Sequence, residues 1–142
     1  MKRNLVFLIC AIAALCLLYT FLNFQSIYEA ADINPKDITK IVFYDGRGGQ
    51  NKPVTVENER QVEEFLCLLD KYTVIEFKNP EPSAGWIHTA VFYKGSEEIL
   101  EITFVNPLII NRHYYRIIKG DLSPEEIGKF LKSIDPDYQI NL

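Results

Sequence analysis

The side chains best suited to metal binding or nucleophilic catalysis are few in this 142-residue chain, which holds two histidines and three cysteines. His88 and His113 match neither the His-x-x-x-His nor the His-Glu-x-x-His spacing of zinc sites. No Gly-x-Ser-x-Gly motif is present to expose a nucleophilic serine. The sequence therefore predicts no catalytic residue, no metal and no cofactor, and it indicates a protein that is not an enzyme.

Recognition chemistry is densest in residues 111–116, with the sequence NRHYYR. Tyrosine and arginine are enriched at binding hot spots, so Arg112, His113, Tyr114 and Tyr115 are candidate partner-binding residues. They could form a mixed aromatic and cationic surface for a glycan, a peptide or a partner protein. The alternative is a solvated hairpin face on which the tyrosine rings pack.

A second candidate is the loop at residues 79–88, which contains Trp86 and His88. Two prolines and a glycine break the preceding strand, and loops held by a rigid sheet are common recognition sites. The alternative is that Trp86 and Phe92, at alternate positions of one strand, fill the core. We favour that alternative because a large aromatic side chain at the start of a strand is usually buried.

A third candidate is the glycine-rich loop at residues 45–53, where Arg47 and Lys52 could accompany backbone N–H groups that face an anion. A phosphate-binding P-loop, however, is followed directly by a helix, whereas a strand is predicted here. A long hairpin turn explains the glycines by backbone geometry alone. Arg47 is retained as a candidate partner-binding residue.

The most distinctive stretch of the chain is residues 5–24, LVFLICAIAALCLLYTFLNF. A helix of about 20 residues would be roughly 30 Å long, which is the thickness of the hydrocarbon core of a lipid bilayer. Lys2 and Arg3 precede it, and the first charges after it are acidic, so the N-terminus is expected in the cytoplasm and the rest outside. The sequence predicts a single-pass signal-anchor in the plasma membrane.

Two other fates are open to this segment, cleavage as a signal peptide and lipid attachment. Cleavage after Ala30 or Ala31 would place Tyr28 or Glu29 at position −3, where a signal peptide needs a small residue. A lipoprotein would need a small residue before its cysteine, and Cys16 follows a leucine. A retained anchor is therefore the favoured prediction, and secretion after cleavage is the alternative.

The expected organisation is an anchor at residues 1–25, a short linker at 26–37 and an extracytoplasmic domain at 38–142. Without Lys2 and Arg3, 13 basic side chains face 19 acidic ones, a net charge of −6 that argues against nucleic acid binding. Cys67 is the domain's only cysteine, so the domain has no internal disulfide. If exposed and oxidised, Cys67 could link two chains.

The elements that must position these residues follow from hydrophobic periodicity, capping residues and breakers. The predicted strands are residues 38–45, 54–56, 73–78, 86–94, 98–105 and 108–118, the last either two short strands or one bent strand. The predicted helices are residues 59–71 and 124–134. The order is β-β-α-β-β-β-β-α, and hairpin-length links predict antiparallel pairing.

These elements predict an α+β fold, in which a single antiparallel sheet of five to six strands carries two amphipathic helices on one face. The function predicted for it is non-enzymatic binding at the cell envelope, with an envelope protein, a peptide or a wall polymer as partner. The alternative is a sensor of a small ligand or an ion that uses His88 or His113.

Overall fold

The computed structural model describes residues 2–46, 51–78, 88–120 and 123–140. These form four α-helices and one antiparallel sheet of eight strands, an α+β fold. The helices are α1 (Lys2–Leu22), α2 (Ile27–Ala31), α3 (Glu59–Leu69) and α4 (Pro124–Ile134), and a 3-10 helix covers Pro35–Asp37. The strands are β1 (Gln25–Ser26), β2 (Lys40–Asp45), β3 (Val54–Val56), β4 (Thr73–Glu76), β5 (His88–Lys94), β6 (Glu97–Phe104), β7 (Leu108–Ile110) and β8 (His113–Lys119).

The strands lie side by side in the order β1-β4-β8-β7-β6-β5-β2-β3, and every neighbouring pair is antiparallel. The predicted antiparallel α+β fold is confirmed, but the predicted number of strands, five to six, is too low. One additional strand arises because residues 108–118 form a hairpin rather than one bent strand. The other is β1, whose two residues are too short to show a periodicity in the sequence.

The hairpin between β7 and β8 turns at Asn111 and Arg112, whose φ angles are +47° and +69°. Positive φ at both central residues is typical of a type I′ turn, which matches the twist of the two strands that it joins. The Asn111 side chain also accepts a hydrogen bond from the backbone N–H of Glu101, at 2.9 Å. The turn is thereby fixed to β6.

Helices α3 and α4 begin where the capping residues predict. Asn58 accepts a hydrogen bond from the Gln61 N–H, and Ser123 accepts one from the Glu126 N–H ahead of Pro124 at the first helical position. The buried side chains of both helices belong to the same hydrophobic core as the inward-facing sheet residues. Phe65 of α3 lies at the centre of this core, since its ring contacts the four other rings Phe43, Phe92, Phe104 and Phe130.

Residues 26–37, expected to be a linker, belong instead to the folded domain. Ser26 and Glu29 form a reciprocal capping box that starts α2. Ile27 is fully buried and Tyr28 is nearly so. Both side chains belong to the hydrophobic core, and α2 contacts β4. The sequence pattern of a five-residue helix does not indicate such long-range contacts.

Within the part of the chain that the structure describes, no helix combines the length and the hydropathy needed to cross a membrane.

Candidate functional site

A groove of about 720 Å³ lies between α3 and the segment that contains α2 and the 3-10 helix. We call it the acidic groove. Its apolar lining includes Tyr28, Ile38, Val62 and Leu66. Its carboxylates are Glu57, Glu59, Glu63 and Asp70, and the remaining lining residues are Pro35, Lys36, Thr39 and Cys67.

Tyr28 fixes one wall of the acidic groove to the other. Its hydroxyl donates a hydrogen bond of 2.7 Å to the backbone carbonyl of Leu66 in α3. Burial raises the pKa of the Tyr28 hydroxyl well above its ordinary value, and Asp70 and Cys67 raise that pKa further through unfavourable charge interactions. Tyr28 is therefore a neutral hydrogen-bond donor to the Leu66 carbonyl throughout the physiological range.

The acidic side chains of α3 form a stripe along the groove. Glu59, Glu63, Cys67 and Asp70 follow one another at intervals of four, four and three residues, which places them on one helical face. None of the groove's four carboxylates forms an ion pair within the described part of the chain. Lys36 is the one basic residue of the lining, so the groove carries an excess of negative charge.

A second cavity, of about 410 Å³, lies where the β7–β8 hairpin meets α2. We call it the His113 cleft. His113 Nδ1 lies 3.8 Å from a carboxylate oxygen of Glu76, and both side chains are largely exposed. The Tyr115 hydroxyl donates to the Ala30 carbonyl at 3.3 Å, and burial, followed by the charge of Glu76, raises the pKa of Tyr115. The other lining residues are Gln25, Ala31, Ile110 and Asn111.

The candidate residues of the NRHYYR stretch do not form one patch. Neighbouring residues of β8 point to opposite faces of the sheet. His113 and Tyr115 line the His113 cleft, whereas Tyr114 opens onto the other face and Arg112 occupies the exposed turn. The structure therefore joins only two of the four predicted binding residues in a common cavity.

His88 lies in the interior, with 2% of its surface exposed. Its Nδ1 is 3.2 Å from the hydroxyl of Tyr138, which is itself buried. Asp45 is the residue opposite His88 on the neighbouring strand β2. A ring in this position contributes to packing and hydrogen bonding within the fold, and it is not available to a large partner.

Asn51 extends this arrangement to the C-terminal segment. Its amide nitrogen donates to Asp45 at 2.6 Å and to the Gln139 carbonyl at 3.1 Å, and its amide oxygen accepts from the Gln139 N–H at 2.8 Å. We call Asp45, Asn51, His88, Tyr138 and Gln139 the His88 cluster. These residues connect the β2–β3 loop, the start of β5 and the segment that follows α4.

Two predicted candidates, Arg47 and Trp86, lie outside the described residues. The anion site of the glycine-rich loop and the role of the tryptophan therefore stay predictions. Cys67 is exposed and unpaired, as are Cys10 and Cys16. Within the described ranges, no group of three or more histidine, cysteine, aspartate or glutamate side chains converges as metal ligands do.

The acidic groove was not predicted from the sequence. The sequence indicates one of its two walls, because acidic residues recur beside Val62 and Leu66 at helical spacing in α3. It does not indicate the opposite wall, since the pattern of residues 26–37 is that of a linker. A groove requires both walls, so only the tertiary contact between Tyr28 and α3 reveals it.

Comparison with known proteins identifies no matching protein family, no similar curated protein and no similar solved structure. The fold and the site define the class of the domain: an α+β domain with one antiparallel sheet, whose helix α3 forms one wall of a negatively charged groove.

Proposed function

We propose that this chain is a non-enzymatic interaction domain, anchored in the plasma membrane by residues 5–24, and that the acidic groove binds its partner. The observation that carries the proposal is the combination, in one cavity, of an apolar lining and carboxylates without ion pairs in the described structure. Apolar pockets with a few convergent polar groups are the usual sites of ligand binding.

The anchor is proposed from the sequence and from the exposure of α1, although no helix within the described residues has both the length and the hydropathy to cross a membrane. Residues 5–24 are almost entirely apolar and follow Lys2 and Arg3. Large apolar side chains of α1 are exposed: the relative exposure is 70% for Phe7, 65% for Leu15 and 69% for Leu17. Soluble surfaces rarely carry so continuous an apolar patch, whereas lipid would cover it.

In the proposed topology, the groove would lie close to the bilayer. Tyr28 follows the last residue of α1, Leu22, by only a few positions, and Pro35 and Ile38 come soon after it. A partner of the acidic groove must therefore be reachable at the outer membrane surface. An envelope protein, a peptide or a wall polymer would meet this condition.

Membrane anchoring is tested by fractionation of cells that produce the full-length chain with a C-terminal tag. We expect the intact chain in the membrane fraction after alkaline carbonate extraction, with its tag accessible to protease added outside. Recovery of a shortened chain that begins near Ala31 or Asp32 in the medium would overturn the anchor and support secretion.

Partner binding is tested by capture of envelope proteins with the full-length chain. Glu63→Lys places a cation in the groove, whereas Glu64→Lys makes the same change of charge on the same helix outside the groove lining. We expect Glu63→Lys to abolish capture of a partner that the wild type and Glu64→Lys both retain. Equal capture by all three chains would show that the groove is not the binding site.

The His113 cleft favours a second function, the sensing of a small ligand or an ion. An imidazole and a carboxylate 3.8 Å apart can bind a proton, a cation or a polar small molecule. The test is thermal unfolding of the full-length chain with increasing zinc, phosphate or acetate. A stabilisation that rises with ligand concentration and disappears in His113→Ala would support sensing, and its absence for all three ligands would remove this support.

A further inference from the structure

We infer that the occupant of the acidic groove is a short cationic and amphipathic peptide segment, with lysine or arginine side chains for the carboxylates and apolar side chains for the lining. This inference rests on the proposed function, since it names the chemistry of the partner. Three properties of the groove lead to it: its size, its charge and its apolar lining.

The size of the groove suits a segment rather than a whole domain. Its length follows α3 from Glu59 to Asp70, and eleven helical residues extend over about 16 Å. An extended peptide covers that distance with roughly five residues, and a helical one with about three turns. The volume of about 720 Å³ lies within the ordinary range of ligand sites.

The charge of the groove is unfavourable to α3 itself. Glu59 and Glu63 are four residues apart on one face, a spacing at which like charges destabilise a helix. Asp70 caps the C-terminal end of α3, where the helix dipole disfavours a negative charge, and the last turn has no basic residue to compensate. A cationic ligand would relieve both interactions.

The lining excludes a purely polar cation as the preferred occupant. Tyr28, Ile38 and Val62 line the groove with 3–7% of each residue's surface exposed, and the partly exposed Leu66 continues the apolar lining along α3. A metal ion or a polyamine would leave this surface exposed to water, whereas an amphipathic segment would cover it. Charge therefore selects a basic partner, and the lining selects a peptide with apolar side chains among such partners.

The experiment measures binding of fluorescent twelve-residue peptides to the full-length chain in phosphatidylcholine nanodiscs. Empty nanodiscs are the control, because an amphipathic peptide also partitions into neutral lipid through its apolar face. One peptide places lysines four residues apart beside leucines. A second replaces its lysines by glutamates, and a third replaces its leucines by serines. We expect saturable binding of the first peptide only, with an affinity that falls as salt concentration rises.

The groove variants locate the binding. We expect Glu63→Lys to weaken binding of the lysine–leucine peptide at least tenfold, and Glu64→Lys to change it less than twofold. Alkylation of Cys67 with a bulky maleimide should also block the peptide, because this thiol lines the groove. The Cys67→Ser chain should bind the peptide equally well before and after treatment with the same reagent, and so controls for labelling of Cys10 and Cys16.

Each outcome decides between the proposals. If none of the peptides binds, or all three bind alike, the inference of a cationic amphipathic occupant is wrong. If Glu63→Lys abolishes capture of an envelope partner while the peptide does not bind, the groove is the partner site but its ligand has another chemistry. If Glu63→Lys leaves both capture and peptide binding unchanged, the proposed function of the groove fails as well.

Discussion

The acidic groove and the His88 cluster are built from similar polar side chains but differ in the hydrogen bonds and ion pairs that those side chains form. In the His88 cluster, the Asn51 amide donates to the Asp45 carboxylate and the Tyr138 hydroxyl forms a hydrogen bond with the His88 imidazole, and the histidine and tyrosine are buried. In the groove, four carboxylates line an apolar floor without an ion pair among the described residues. The polar groups of the cluster connect segments of the fold, whereas we propose that those of the groove bind a ligand.

The difference teaches which polar residues to associate with stability and which with binding. A buried polar group contributes to stability only while its hydrogen bonds are made, so changes in the His88 cluster should be costly. An exposed carboxylate that lacks a partner contributes little to stability, and its removal can even be favourable. The four predictions that follow test this contrast, from the largest expected effect to the smallest.

The largest effect is expected from Tyr138, which is 3% exposed. Tyr138→Ala should lower the free energy of unfolding by about 3–5 kcal/mol, because it removes a buried ring and leaves a cavity. Tyr138→Phe keeps the ring and should cost only about 1 kcal/mol for the lost hydrogen bond. Denaturant unfolding of the full-length chain measures both. An equal loss in the two variants would mean that the bond to His88, not the ring, dominates.

The next effect is expected from Asn51, which makes two hydrogen bonds to the Gln139 backbone and one to Asp45. Asn51→Ala should cost about 1–3 kcal/mol and speed amide hydrogen exchange in residues 135–140. Asn51→Asp places a carboxylate beside Asp45, so it should be at least as destabilising near neutral pH. Unchanged exchange in these residues would show that Asn51 does not hold the C-terminal segment.

In contrast, removal of a charge from the acidic groove should not destabilise the fold. Glu63→Gln removes one of the like charges that face each other along α3, so it should change the free energy of unfolding by no more than about 0.5 kcal/mol, towards greater stability. The gain should shrink in high salt, because screening already weakens the repulsion. A loss above about 1 kcal/mol by thermal unfolding would show that Glu63 has a structural role.

The smallest effect concerns Glu29, at the start of α2. Hydrogen bonds from the backbone N–H and side chain of Ser26 lower the pKa of this exposed carboxyl below its ordinary value. Its contribution to stability is therefore present above the ordinary glutamate pKa of about 4.3 and is lost as pH falls through the lowered pKa of the folded state.

The check is a pair of thermal melting curves across this acid range. The wild-type chain should lose its small advantage over Glu29→Gln as the pH falls, and the two chains should agree once Glu29 is protonated in both folded and unfolded states. A constant difference at every pH would show that the capping box does not depend on the charge of Glu29.

Local signals in the sequence sufficed for the regular elements of the domain. The helix predicted at residues 124–134 matches Pro124–Ile134, because Ser123, Pro124 and an apolar stripe lie within a few turns of one another. The strand predicted at residues 86–94 appears as His88–Lys94 within the described residues. Antiparallel pairing also followed from short links, which leave the chain no room for a parallel crossover.

The sequence predicted only part of the His113 cleft, and it did not predict the acidic groove. The alternation of β8 separates Tyr114 from His113 and Tyr115, although all three are adjacent in the sequence. The contribution of Ile27 and Tyr28 to the core was missed, because two apolar residues in a polar stretch show no periodicity. Their burial depends on the sheet edge that β1 reaches by pairing with β4.

The two histidines show most clearly the difference between what the sequence determines and what the tertiary structure decides. The sequence by itself determined the α+β elements, their caps and an apolar N-terminal segment, since each depends on propensities and periodicity over a few turns. No local pattern in the sequence distinguished the surroundings of His88 from those of His113. The tertiary structure alone decided that one is buried against Tyr138 and the other lines an open cleft, and that α2 closes a groove over α3. Burial and cavities arise from contacts between residues distant in sequence, which local patterns do not encode.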